Sequence, residues 1–269
     1  MYWTEFGEEI SKDMSVNHVI HPIPLVKLPE FPKLRMIYPL YGGAHVDYTQ
    51  VVPIACYVWY VEGLGKNIIV DAGITTERFI ARGHKVEHIQ TLDEGLNKLG
   101  LGFGDIDVLI LTHLHHEHVT LAHKFPKARV IVQRAELEFA RNPHPFYLQR
   151  AHDPPDYKEL IEGLDYQVVS GDTKIDDGVE VLLTPGHSAG GQSIAVMTAE
   201  GTAIITGFCC IQENFEPPPE LRERGVPFII PGMYHNALDA YESMARIKRL
   251  ADLIVPLHEA ELIQKAAIP

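Results

Sequence analysis

The chain has 269 residues, enough for one large domain with a sizeable core, and its 46% hydrophobic and 22% charged content is that of a globular protein. Its 36 acidic residues outnumber 23 basic ones, and the net charge of −13 argues against nucleic acid as a partner. No apolar run is long enough to span a bilayer, the start is acidic rather than signal-like, and three cysteines make no disulfide framework, so neither a membrane nor an oxidising compartment is expected and the cytoplasm is.

Residues 1 to about 50 carry Pro22, Pro24, Pro29, Pro32 and Pro39 between short apolar pieces. They read as an extended lead-in with one or two short strands, joined to a single domain that spans 1–269. Ala55–Val61 is β-branched and aromatic, and Gly63-Leu-Gly65 turns it into Asn67–Asp71, which predicts a hairpin. Asp71 then sits at a strand end beside Gly73. Thr91-Leu-Asp-Glu94 has the spacing of a capping box and opens a short helix with Leu92, Leu96 and Leu99.

Val108 to Leu111 is an apolar run of the kind found in strands buried on both faces. It runs into His113, His115, His116, Glu117 and His118 within a few residues. Crowded imidazoles repel once protonated, whereas a metal gives several of them one shared partner, so the cluster reads as a metal site. Val130–Gln133 predicts a strand and 135–141 a helical turn or two. The proline-rich 142–160 reads as a long loop with lid potential.

From 166 onward the pattern is β, with strands at 166–169, 179–183, 193–196 and 203–205. Two of them end in Thr184-Pro-Gly-His-Ser188 and Thr206-Gly-Phe-Cys-Cys210. Asn236 caps a helix to about Leu250, and Leu253–Val255 is a last strand before His258. The histidines at 113–118, 187 and 258 all follow strand ends, where a rigid scaffold usually carries its binding residues. His45, His144 and His235 could approach from loops but read as ordinary histidines.

These segments, in this order and spacing, resemble the metallo-β-lactamase superfamily. Ile131-Val-Gln-Arg134, Gly191-Gln-Ser193 and Glu213-Asn-Phe-Glu216 are similar to its N-acyl homoserine lactonase branch, and the likeness covers about 50–260. It implies an αββα sandwich of two packed mixed sheets flanked by helices. It further implies a first metal on His113, His115 and His187, a second on Glu117, His118 and His258, and Asp71 behind a ligand histidine. The implied activity is a metal-dependent hydrolase that opens a lactone, ester or amide-like bond of a small molecule through a metal-bound hydroxide, with Glu117 catalytic. Zinc is the expected metal, with iron or manganese as alternatives.

The chain departs from the family pattern where Glu117 replaces an aspartate, where Phe208 stands at the position of a bridging aspartate, and where Ile211 replaces a tyrosine. The resemblance then predicts one tight metal and a second that is weak or absent, because two dications with fewer carboxylates between them repel. His116, Phe208, Cys209 and Ile211 become pocket candidates, and Cys209 or Cys210 could replace the lost carboxylate. Two other readings share the scaffold: a mononuclear non-haem iron oxygenase and a non-catalytic ligand-binding protein.

Overall fold

The computed structural model describes residues 17–39, 47, 49–63, 65–145 and 157–269. One sheet of seven strands has the order β4-β1-β2-β3-β5-β6-β7, formed by β1 (Val19–Pro32), β2 (Val51–Glu62), β3 (Ile68–Val70), β4 (Glu87–His88), β5 (Val108–Ile110), β6 (Arg129–Gln133) and β7 (Tyr166–Val169). The second sheet has the order β12-β11-β10-β9-β8, from β8 (Thr173–Asp176), β9 (Val179–Leu183), β10 (Gln192–Thr198), β11 (Gly201–Ile205) and β12 (Leu253–Val255). Both sheets are mixed. The parallel ladder β3-β5-β6-β7 sits in the first, and β11 runs parallel to β12 in the second.

Strand alternation builds the layers. In β2, Tyr57, Trp59 and Val61 face the second sheet and meet Val181, Ile194, Val196 and Ile205, while Cys56, Val58 and Tyr60 face the opposite way. In and just after β5, Val108 and Ile110 point between the sheets and Leu109 and Leu111 outward, so the strand is buried on both faces. The outer face of the second sheet packs Leu182, Ala195 and Ile204 against Met244 and Ile247 of a long helix, Ala237–Leu250. The outer face of the first packs on α1 (Lys33–Met36), α2 (Thr76–Ala81) and α3 (Leu92–Lys98) through Met36, Phe79, Leu92 and Leu96. This is the αββα sandwich.

Local signals act where expected. Thr91 and Glu94 form the reciprocal capping box of α3, with Glu94 N–H donating to Thr91 Oγ1 at 3.2 Å. Asn236 Oδ1 accepts from Leu238 N–H at 3.0 Å and starts the long helix. The proline-rich start differs from expectation: instead of short pieces it contains β1, a 14-residue strand. Prolines are tolerated in a strand where an edge is open or the register slips. On its far side β1 pairs with β4 only at Val26 and Lys27, and its register against β2 shifts between Pro24 and Val26 and between Leu28 and Phe31. Most of the proposed lid at 142–160 and His45 lie outside the described residues. No described helix is long and apolar enough to cross a membrane.

Candidate metal centre

The C-terminal ends of β3 and β5 lie side by side in the first sheet, and those of β9, β11 and β12 share one edge of the second. The loops that follow them carry Asp71, the 113–118 segment, His187, the 206–211 segment and His258. Six of these residues form two groups, His113 with His115 and His187, and Glu117 with His118 and His258. Within each group the donor atoms all lie within 4.8 Å of one another. His118 links the groups, its ring centroid 4.3 Å from that of His113 and 5.3 Å from that of His258.

Each of four histidines has one ring nitrogen engaged from behind. His118 Nδ1 lies 2.8 Å from Asp71 Oδ2, His187 Nδ1 2.7 Å from the Met233 carbonyl, and His258 Nδ1 2.9 Å from the Ala55 carbonyl. His113 Nδ1 lies 3.0 Å from Thr112 Oγ1, whose hydroxyl donates to Asp71 Oδ2 at 3.0 Å. An acceptor on Nδ1 puts the proton there and leaves Nε2 with its lone pair, the tautomer a metal requires.

The Nε2 atoms of His118 and His258 are buried and have no hydrogen-bond partner, and those of His113 and His187 face each other at 3.2 Å. Buried polar atoms without partners are costly, and a shared cation is what satisfies a convergent set of lone pairs. The donor set therefore fits divalent metal.

Electrostatics follow from this crowding. Burial, and then the neighbouring imidazoles, holds His113 and His187 well below the usual histidine range. Burial followed by His118 brings His258 down to about 4. Burial alone would lower His118 too, but the charge and hydrogen bond of Asp71 outweigh it and raise the ring. Glu117 would be raised by burial, yet His116 and then His118 and His115 hold it well below the carboxylate range.

Asp71 deserves its backbone geometry. At φ +60° it is the one non-glycine described residue in the left-handed region, tolerated best by Asp and Asn. That turn lets its carboxylate accept the Thr112 N–H at 2.8 Å while meeting His118.

The pocket candidates divide. His116 is buried, hydrogen-bonds the Glu117 carboxylate and lies edge-on to Phe79 at 5.8 Å. Ile211 is buried in the same apolar cluster as Cys209 and Met36. Phe208 is buried and packs with Leu182, Phe215, Met244 and Ile247 in the outer layer. Cys210 follows it outward, 3.1 Å from Thr206 Oγ1, and burial pushes its thiol up to about 12. Cys209 turns the other way, to 3.5 Å from Met36 Sδ. Neither cysteine joins the two donor groups.

Sequence reasoning did not single out Glu136. Its Oε1 accepts the Leu114 N–H at 3.0 Å and its Oε2 the Gly190 N–H at 2.8 Å, so one buried carboxylate ties the 113–118 loop to the 187 loop. In sequence it is an acid in the first turn of a helix, Arg134–Arg141, an ordinary position that carries no signal. Cys56, 3.9 Å from His258 Nδ1, and Met233, which holds His187, were likewise silent.

Comparison with known proteins agrees with this geometry. Residues 51–207 match the metallo-β-lactamase superfamily. An N-acyl homoserine lactonase of Bacillus cereus is 30% identical over 258 residues, covering 95% of this chain and 88% of that one. The crystal structure of a quorum-quenching N-acyl homoserine lactone lactonase superposes with a TM-score of 0.70 at 23% identity, covering 94% of this chain and 96% of that chain. An N-acyl homoserine lactone hydrolase with the product N-hexanoyl-L-homoserine bound at its catalytic metal centre gives a TM-score of 0.68 at 22% identity, over 93% and 96% of the two chains. Because the family match takes in more than half of the chain and the lactonase similarity nearly all of it, the chain belongs to the metallo-β-lactamase superfamily, as a metal-dependent hydrolase.

Proposed function

We propose that this hydrolase opens a lactone, or cleaves a related ester or amide-like bond, in a small molecule. The reading rests above all on one observation: two groups of three donors converge at one end of the sandwich, with the buried Nε2 atoms of His118 and His258 lacking a hydrogen-bond partner. The lactonase activity of the B. cereus relative supports the choice of bond.

In this reading His113, His115 and His187 hold the tighter metal, three imidazoles that leave a fourth position open. Glu117, His118 and His258 hold a second, weaker one. The mixed nitrogen and oxygen donors favour zinc. When bound, the metal lowers the pKa of water toward neutrality and polarises a carbonyl oxygen. Glu117 is the one carboxylate among the six donors; with the second position empty its Oε1, which lies 3.9 Å from His118 Nε2, is free to accept a proton from the attacking water. Asp71 and the Met233 and Ala55 carbonyls hold His118, His187 and His258 in the tautomer the reaction needs. All of these groups lie in one domain of 1–269, to which the N-terminal segment contributes β1.

The test is a panel of lactones and linear esters presented to zinc-loaded protein and to its Glu117→Gln variant. Turnover of at least one lactone, largely lost in Glu117→Gln while the tight zinc is retained, is the expected result. No hydrolysis of any member by the zinc-loaded protein would overturn the reading.

A further inference from the structure

Glu117 lies in α4 (His116–Val119), a single helical turn, and consecutive helical residues point roughly 100° apart and do not ordinarily face one another. Here they do: His116 Nδ1 and Glu117 Oε2 are hydrogen-bonded, and both side chains are largely withdrawn from solvent. The imidazole is not placed there by Glu117 alone. Its ring meets Phe79 of α2 edge-on at 5.8 Å, and its carbonyl accepts the Thr120 hydroxyl at 2.6 Å. The base of the turn and the ring are thus both anchored independently of the carboxylate.

This leaves Glu117 divided between two neighbours. Oε2 is occupied by His116, and Oε1 faces His118 Nε2 across 3.9 Å, inside the second donor group. A glutamate has three single bonds between backbone and carboxylate, and left alone it would populate many rotamers. A charge-assisted bond to a fixed N–H removes most of that freedom and points the remaining oxygen one way. An aspartate at the same position is one methylene shorter and cannot both reach the His116 ring and enter the donor group.

We propose that His116 is a positioning residue: by engaging Glu117 Oε2 it presents Oε1 to the His118–His258 pair, so that His116 and Glu117 work as one unit at the second metal position. The inference rests on the proposed metal reading and adds to it a residue that touches no metal itself. The expected cost of removing a group that orients a ligand is a ~10–100-fold loss of metal affinity.

The experiment is calorimetric titration of chelator-stripped full-length protein with zinc, which reads binding directly rather than activity. Unmutated protein is titrated first; failure to bind any zinc would defeat the metal reading itself, and binding of one equivalent with no second would overturn the proposal alone. His116→Phe is expected to keep the first equivalent and weaken the second ~10–100-fold. His116→Asn, whose side-chain N–H can stand where Nδ1–H does, is expected to restore most of the second. In the Glu117→Asp background, His116→Phe is expected to make no further difference, because the shorter acid does not reach the ring. An unchanged second equivalent in His116→Phe, an equal loss in both backgrounds, or loss of both equivalents in His116→Phe and His116→Asn alike would overturn it.

Discussion

Asp71 Oδ2 and His118 Nδ1 lie 2.8 Å apart at the junction of the two donor groups, and the other nitrogen of that histidine is buried without a hydrogen-bond partner. The pair shows how the site is built: the protein spends its own acceptors on the rear of each ring, and the front atoms converge. The same logic repeats at His187 and His258 with backbone carbonyls, which no side-chain substitution can remove.

Asp71 is therefore the place where that arrangement can be weakened from outside. Asparagine tolerates the left-handed backbone at φ +60° and has the same shape, so Asp71→Asn leaves the turn intact. It replaces one acceptor by an N–H that opposes the His118 and Thr112 donors. The expected result is a ~10–100-fold fall in zinc affinity by calorimetry, with the fold retained by circular dichroism.

Glu136 should matter as much for stability as for binding. In Glu136→Gln one of the Leu114 and Gly190 N–H groups loses its acceptor and meets an amide instead. A buried donor left unsatisfied costs about 1–3 kcal/mol, which chemical denaturation will read directly. Gly190→Ala should be harsher, since an added Cβ would lie 2.2 Å from the Glu136 backbone nitrogen.

Acid should destabilise the metal-free protein. His113, His187 and His258 have folded values below the ordinary ~6.5, so below that pH the unfolded chain binds more protons than the folded one. Stability is lost as pH falls from about 6.5 toward the value of about 4 at His258. Glu117, also depressed, acts in the same direction at lower pH. His118 is raised, so its contribution is fully present at low pH and lost as pH rises through its folded value, but it opposes three histidines. Melting temperatures of stripped protein should fall steadily between pH 7 and pH 5, and a flat or rising profile would contradict the burial of these rings.

The positions of the histidines were legible because each follows a strand recognisable by composition, as with Val108–Leu111 before His113. Their division into two groups needed the resemblance, since three loops distant in sequence must meet. The long β1 was hidden by its prolines, whose tolerance depends on an open edge and on register slips that only the sheet reveals. The packing of Phe208 was not legible for a related reason: alternation fixes which way a strand residue points, but the loop after β11 obeys no period. Glu136 gave no signal at all, because a first-turn acid looks the same whether it caps a helix or ties two loops.

In the proposed function, donors from both sheets hold metal and hydrolysis depends on it. The most direct test strips the protein with chelator, restores zinc in steps, and follows bound zinc and lactone opening in the same samples. No turnover is expected without metal, and turnover should return as zinc fills His113, His115 and His187 and be lost in His187→Ala. Full hydrolysis by the stripped protein, or unchanged zinc content and activity in His187→Ala, would contradict it.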